Sequence, residues 1–220
     1  MFNIAIDGPA GAGKSSIARA AAANLGFLYV DTGALYRTVA LAALKQGLAP
    51  EEKEKIVSLL PEIEVSMGFV DGEQRVFLNG EDVSEDIRLP EVSAAASTVS
   101  AIPEVRQFLF DLQRDMAKTN DVLMDGREIG TVVLPDARLK IFLTATPEER
   151  ARRRYEQIKD KSDVTYEEVL NDLNQRDYQD THREIAPLKQ ADDAVLLDTT
   201  NMSFEEVVQA IEDLAKERQA

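Results

Sequence analysis

The chain contains no cysteine, so disulfides, zinc–thiolate sites, iron–sulfur clusters and a cysteine nucleophile are all excluded. A single histidine makes a histidine-rich metal site impossible. Basic residues are also scarce: 25 Lys and Arg face 40 Asp and Glu, a net charge of −15. That sign disfavours non-specific binding to nucleic acid or to an anionic membrane surface, although a local basic pocket stays open. No apolar run approaches the roughly 18 residues needed to span a bilayer. The N-terminus has no secretory pattern, so a cytoplasmic location is the expectation.

What remains is 220 residues, 44% of them hydrophobic. That suffices for a sizeable core in one domain, or one core with an insert. Short apolar runs at Phe2–Ile6, Phe27–Val30, Val122–Met124, Leu139–Leu143 and Ala194–Leu197 read as strands. They alternate with helical stretches, and most are apolar throughout. The pattern predicts an α/β fold with a five-stranded parallel sheet covered on both faces. Residues 51–91 differ, carrying 12 acidic residues against 4 basic ones. There Ile63–Met67 and Arg75–Leu78 flank Asp71-Gly72, a hairpin signal, and the stretch reads as an inserted β-containing subdomain. Thr146–Glu149, Thr165–Glu168 and Ser203–Glu206 each predict a capping box, and Phe204, Val207, Val208, Ile211 and Leu214 share one face of the last helix.

Gly8-Pro9-Ala10-Gly11-Ala12-Gly13-Lys14-Ser15 matches the phosphate-binding pattern G-x-x-x-x-G-K-[ST], after a strand and before a helix. Glycines let backbone N–H groups converge on phosphate oxygens, and the following helix points its positive end at the same anion. Lys14 is placed for the β- and γ-phosphates and the Ser15 hydroxyl for Mg²⁺. Asp125 ends an apolar strand, where a Mg²⁺-holding carboxylate belongs; its alternative role is to cap the next loop. The loop alone does not separate kinases from GTPases, motors or switches, but the guanine-reading Asn-Lys-x-Asp is absent.

Arginines in this acidic chain stand at strand ends. Arg37 follows the second strand and Arg127 the third major strand, each after a glycine turn. Ligands in open α/β sheets bind beyond the carboxyl ends of strands, so the pair suggests an anionic acceptor near the phosphate loop. A surface ion pair is the alternative for either. Arg150, Arg153 and Arg154 share a helix face, as suits a lid closing over polyphosphate, unless Glu148, Glu149 and Glu156 simply neutralise them. Arg176 and Asp180 lie one turn apart: arginine suits phosphate and aspartate suits ribose hydroxyls, or the two form an ion pair. His182 reads as a packing or surface residue.

Together, Ile6–Ser15, Asp31–Arg37, Asp125–Asp136, Lys140–Leu143, the arginines after Glu149, Arg176-Asp177, Arg183 with Ala186-Pro-Leu188, and Asp198-Thr-Thr200 resemble the bacterial cytidylate kinase family, from about residue 3 to the C-terminus. The resemblance implies a three-layer αβα phosphate-loop core (1–35, 90–148 and 184–220), a nucleoside-monophosphate-binding part with the small β insert (about 36–89), and a helical lid (about 149–183). It implies transfer of the γ-phosphoryl group of ATP to CMP or dCMP with Mg²⁺, and a monomer without nucleic-acid or membrane partners. ATP would be held by Gly8–Ser16, with Ser15 and Asp125 at the metal. The family's cytosine readers fall on Ser97, Arg106 and position 128, where its usual aspartate is Glu128. Arg37, Arg127 and Arg183 fall at the acceptor's phosphate and Asp180 with Arg176 at its ribose, and Thr32 joins the implied CMP-binding residues. Lys14, Arg127, Arg150, Arg153 and Arg154 are the implied catalytic set. Readings that stay open are a kinase for UMP, AMP or a non-nucleotide acceptor, and a nucleotide-binding switch.

Overall fold

The computed structural model describes residues 1–70, 73–160 and 162–219. The chain runs β1 (Asn3–Asp7), α1 (Lys14–Leu25), β2 (Leu28–Asp31), α2 (Thr32–Lys45), α3 (Lys53–Leu59), β3 (Val65–Val70), β4 (Glu73–Leu78) and β5 (Glu81–Asp82). It continues through α4 (Pro90–Val99), α5 (Pro103–Thr119), β6 (Val122–Gly126), β7 (Leu139–Thr144), α6 (Pro147–Ile158), α7 (Tyr166–His182), β8 (Val195–Asp198) and α8 (Phe204–Gln219). Two compact units result: Met1–Leu28 with Asn120–Ala220, and Tyr29–Thr119. None of the described helices is long and apolar enough to cross a membrane.

The five-stranded parallel sheet has the order β2-β6-β1-β7-β8. β1 is central, in register with β6 (Asp7 opposite Gly126) and with β7 (Asp7 opposite Phe142). Ile4, Ala5 and Ile6 are fully buried. Successive strand residues point to opposite faces, so both faces of β1 are covered, as its unbroken apolar run predicts. The small residues of α1 let it pack closely, and Ile17, Ala18, Ala21 and Ala22 are buried. The register makes the segments after β1 and β6 leave the sheet side by side, and that edge carries the candidate site.

The edge strand β8 departs from the expected pattern, because it has only one neighbour and alternates in burial, with Leu196 exposed. On α8 the buried face is Val207, Val208, Ile211 and Ala215; Phe204, in the first turn, is exposed and Leu214 only half-buried. Two capping boxes are reciprocal, at Thr165–Glu168 and Ser203–Glu206. The third is half-formed. Thr146 Oγ1 accepts from the Glu149 N–H, but the Glu149 carboxylate is taken by Arg152 and Arg153.

In the second unit, α2, α4 and the start of α5 enclose an apolar core with Leu35, Val39, Ile56, Val92, Val99 and Leu109. The expected β insert is there, as a three-stranded antiparallel sheet in the order β3-β4-β5. Val76 and Leu78 of β4 turn into the core. The predicted Asp71-Gly72 turn lies outside the described residues. Asp31 caps α2, its carboxylate accepting from the Ala34 N–H, so the helix starts at Thr32.

Candidate active site

The loop after β1 has the backbone that its glycines allow. Gly8 has φ 154°, and a Cβ there would lie 2.0 Å from the Leu143 carbonyl oxygen, so no side chain fits. Gly13, at φ 83°, forms the left-handed entry to α1. The first turn of α1 carries no acidic residue and no side-chain cap. Its positive end is therefore left uncompensated, which suits a phosphate. Lys14 folds back over the loop, its Nζ donating to the carbonyls of Gly8 and Pro9 at 2.8 Å each. Burial pushes the Lys14 ammonium down to about 7, and the neighbouring Arg127 charge adds to this, against Asp125, Asp180 and Asp7.

Ser15 Oγ donates to Asp125 Oδ2 at 2.9 Å, joining the start of α1 to β6. A hydroxyl and a carboxylate are hard oxygen donors, the type Mg²⁺ selects, and Mg²⁺ completes its shell with water and substrate phosphates. No cluster of three potential metal-binding His, Asp or Glu side chains occurs among the described residues. The pair therefore fits a cation that arrives with a nucleotide better than one caged by protein alone.

The segment after β6 is fixed from below. Asp7 accepts from the N–H groups of Ile129 and Gly130 at 2.7 Å each, and burial pushes its carboxyl up against those two bonds. The chain then makes one π-turn over Ile129–Val133, with Leu134 N–H bonded to Ile129 C=O. Such turns often occur at functional sites. Arg127 Nε donates to Asp180 Oδ2 at 2.7 Å. Burial works against its charge, but Asp180, Asp125 and Asp177 outweigh that and raise its pKa. Asp180 also lies 3.5 Å from Arg183, which pairs with Glu128 at 2.8 Å. Arg127, Asp180, Arg183 and Glu128 thus form one chain of alternating charge.

The structure separates Arg150, Arg153 and Arg154, which helical spacing put on one face. Arg150 is buried: its Nη1 donates to Ala10 C=O and meets Asp177, each at 2.7 Å, and Asp177 also accepts from the Ala10 N–H. Arg153 reaches Glu149, Thr199 Oγ1 and Thr199 C=O. Arg154 is exposed and makes no ion pair among the described residues. Arg176 pairs with Asp172, one turn back, and not with Asp180, whose carboxylate is taken by Arg127 and Arg183. His182 is exposed and stacks on Tyr178, a surface residue as expected.

In the second unit, Arg37 Nη2 donates to Asp31 Oδ2 at 2.7 Å, while its buried Nε has no hydrogen-bond partner among the described residues. Thr32 is buried in the first turn of α2. Ser97 is half-buried on α4. Arg106 is fully enclosed, donating to Ser100 C=O and lying 5.4 Å from the Tyr36 ring centre. Sequence reasoning gave no role to Asp7, Asp31, Asp177 or Thr199. Asp7 and Asp31 could have been flagged by position, one directly before the phosphate loop and one at a helix N-cap. The other two could not, because their partners lie far away in sequence.

The cytidylate kinase family model matches residues 4–217. A cytidylate kinase of Caldicellulosiruptor bescii is 53% identical over 214 residues, covering 97% of this chain and 95% of that protein. One from Geobacter sulfurreducens is 48% identical over 217 residues, covering 98% and 93%. One from Lactobacillus johnsonii is 46% identical over 220 residues, covering 100% and 96%. Among solved structures, an uncharacterized protein of Eubacterium ventriosum has a TM-score of 0.54 at 12% identity, covering 98% of this chain and 99% of that one, a likeness of fold alone.

Proposed function

Because the chain belongs to the cytidylate kinase family, we propose that it transfers the γ-phosphoryl group of ATP to CMP or dCMP, giving ADP and CDP or dCDP. The observation that carries this reading is the placing of Lys14 beside the Arg127–Asp180–Arg183–Glu128 chain at the end of β1 and β6. One basic group there suits the donor phosphates and the others suit an acceptor phosphate.

Gly8–Ser16 cradles the ATP phosphates, and Lys14 leaves the Gly8 and Pro9 carbonyls to meet the β- and γ-phosphates. Ser15 and Asp125 would hold a Mg²⁺ arriving with the nucleotide, which would neutralise charge on the donor phosphates. Arg37, Arg127 and Arg183 hold the acceptor's phosphate, with Thr32 beside Arg37. A phosphate oxygen of the acceptor attacks the γ-phosphorus in line, and the bond to the β–γ bridging oxygen breaks to release ADP. Positioning and charge stabilisation do most of this work. Arg153 and Arg154 supply further positive charge from the lid, and Arg150 shapes the loop through Ala10. Residues 149–183 act as the lid, excluding water as a competing acceptor. Residues 36–89 serve acceptor binding, and 1–35, 90–148 and 184–220 the core. Ser97, Arg106 and Glu128 read cytosine, whose N4 amino group donates while N3 and O2 accept; Asp180 and Arg176 meet the ribose. The protein works as a cytoplasmic monomer.

The test is ADP release from Mg·ATP with CMP, dCMP, UMP, AMP and GMP supplied singly. Strong release with CMP or dCMP alone is expected. Equal or better release with UMP or AMP would discard the base assignment, and none with any of them would discard the kinase reading.

A further inference from the structure

β4 presents Gln74, Val76 and Leu78 to one side, since side chains two apart share a face of a strand. Val76 and Leu78 enter the apolar core that α2 also lines. Gln74 is the polar member of this otherwise apolar stripe, and it has a specific partner. Its Oε1 accepts from the Asp31 N–H at 2.7 Å and its Nε2 donates to the Asp31 C=O at 3.2 Å. The side-chain amide thus grips both polar groups of one residue, 43 positions earlier in the chain.

Asp31 is where β2 becomes α2, and both oxygens of its carboxylate are committed. Oδ1 accepts from the Ala34 N–H at 3.1 Å, and Oδ2 accepts from Arg37 at 2.7 Å. Gly33 leaves room for this pair: a Cβ there would lie 3.1 Å from both Arg37 Nη1 and Asp31 Oδ1. We propose that Gln74 is a positioning residue for the acceptor phosphate, its amide fixing the Asp31 backbone so that the Asp31 carboxylate presents Arg37 in one orientation. The β insert then takes part in acceptor binding through Arg37 without touching substrate. The chemistry selects glutamine, because gripping an N–H and a C=O together needs an acceptor and a donor on one side chain. Glutamate of the same length offers only acceptors and would face the Asp31 carbonyl with charge. The inference rests on Arg37 being a contact of the acceptor's phosphate.

The test is steady-state kinetics on the full chain and its Gln74→Leu and Gln74→Glu variants, alone and with Arg37→Ala, together with amide hydrogen exchange on the ligand-free proteins. Gln74→Leu is expected to raise KM for CMP about tenfold, the scale of one or two lost hydrogen bonds, with KM for ATP unchanged. Gln74→Glu is expected to raise it further. With Arg37 already replaced, Gln74→Leu should add nothing. A parallel rise in both KM values, or the same factor without Arg37, overturns the relay. If Arg37→Ala alone leaves KM for CMP unchanged, the reading of Arg37 fails, and exchange then decides the relay by itself. Gln74→Leu must speed exchange at Asp31 and Ala34; unchanged rates at both overturn it.

Discussion

Arg183 and Glu128 meet at 2.8 Å with side chains only 8% and 5% exposed, whereas Arg37 and Asp31 meet at 2.7 Å with 26% and 21% exposed. The bond lengths are nearly equal, but the surroundings are not. In the first unit the buried pair belongs to a chain that also ties Arg127 to Asp180, so no arginine moves without releasing a carboxylate. In the second unit the Arg37–Asp31 pair hangs on a helix cap, and the buried Arg37 Nε has no hydrogen-bond partner among the described residues. On the proposed reading, an acceptor phosphate at Arg127 or Arg183 exchanges partners with a buried carboxylate, whereas at Arg37 the carboxylate it displaces is partly exposed. Burial makes such an exchange strongly dependent on geometry, because an ion separated from its partner in a low-dielectric site is costly.

The largest effect that would break this comparison is on turnover. Arg127→Ala should lower kcat about 10³-fold, the scale of removing an arginine that stabilises a transferring phosphoryl group. Far-ultraviolet circular dichroism should stay native, and ADP release in the presence of CMP is the readout. Near-normal turnover would remove Arg127 from the chemistry and leave the charged chain as architecture.

Stability sharpens the contrast. Arg183→Leu takes the guanidinium away from the buried Glu128 carboxylate, and should destabilise the fold by about 3–5 kcal/mol in urea unfolding. Arg37→Ala breaks a partly exposed pair and should lower stability by about 1 kcal/mol or less while raising KM for CMP. Equal losses from the two substitutions would show that the difference in burial carries no energetic weight.

The sequence made the phosphate loop, its flanking strand and helix, and the parallel sheet readable, because glycine spacing and unbroken apolar runs are local signals. It could not show which carboxylate each arginine takes. Arg127 and Asp180 are 53 residues apart, and Arg183 and Glu128 are 55 apart. Helical spacing put Arg150, Arg153 and Arg154 on one face, yet their long side chains end at Ala10, at Thr199 and in solvent. The Arg176–Asp180 ion pair weighed at one turn's spacing does not form, since spacing says which groups can meet but not which stronger partner lies across the fold. Gln74 was hidden for a related reason: it stands just before the expected strand Arg75–Leu78, and its partner Asp31 lies 43 residues away.

Acid offers an effect as small as that of Arg37→Ala, with a clean sign. The Glu149 carboxyl is held at about 2, against an ordinary 4.5, first by its hydrogen bond from Arg152 and then by Arg153, with burial opposing. Its folded pKa is depressed, so the unfolded chain binds the proton more readily, and the stability it contributes is complete above pH 4.5. That contribution fades as pH falls from 4.5 towards 2. Arg152 is largely exposed, which screens its share, so the whole contribution should be about 1 kcal/mol. Glu149→Gln should lower stability by that amount at neutral pH and match the parent near pH 2, in unfolding curves recorded at constant ionic strength. Because Arg153 then loses its carboxylate while keeping Thr199, the variant also asks whether Arg153 needs a paired carboxylate at all. If the two proteins lose stability in parallel down to pH 2, Glu149 is a bystander, and Arg153 is held by the Thr199 carbonyl and hydroxyl alone.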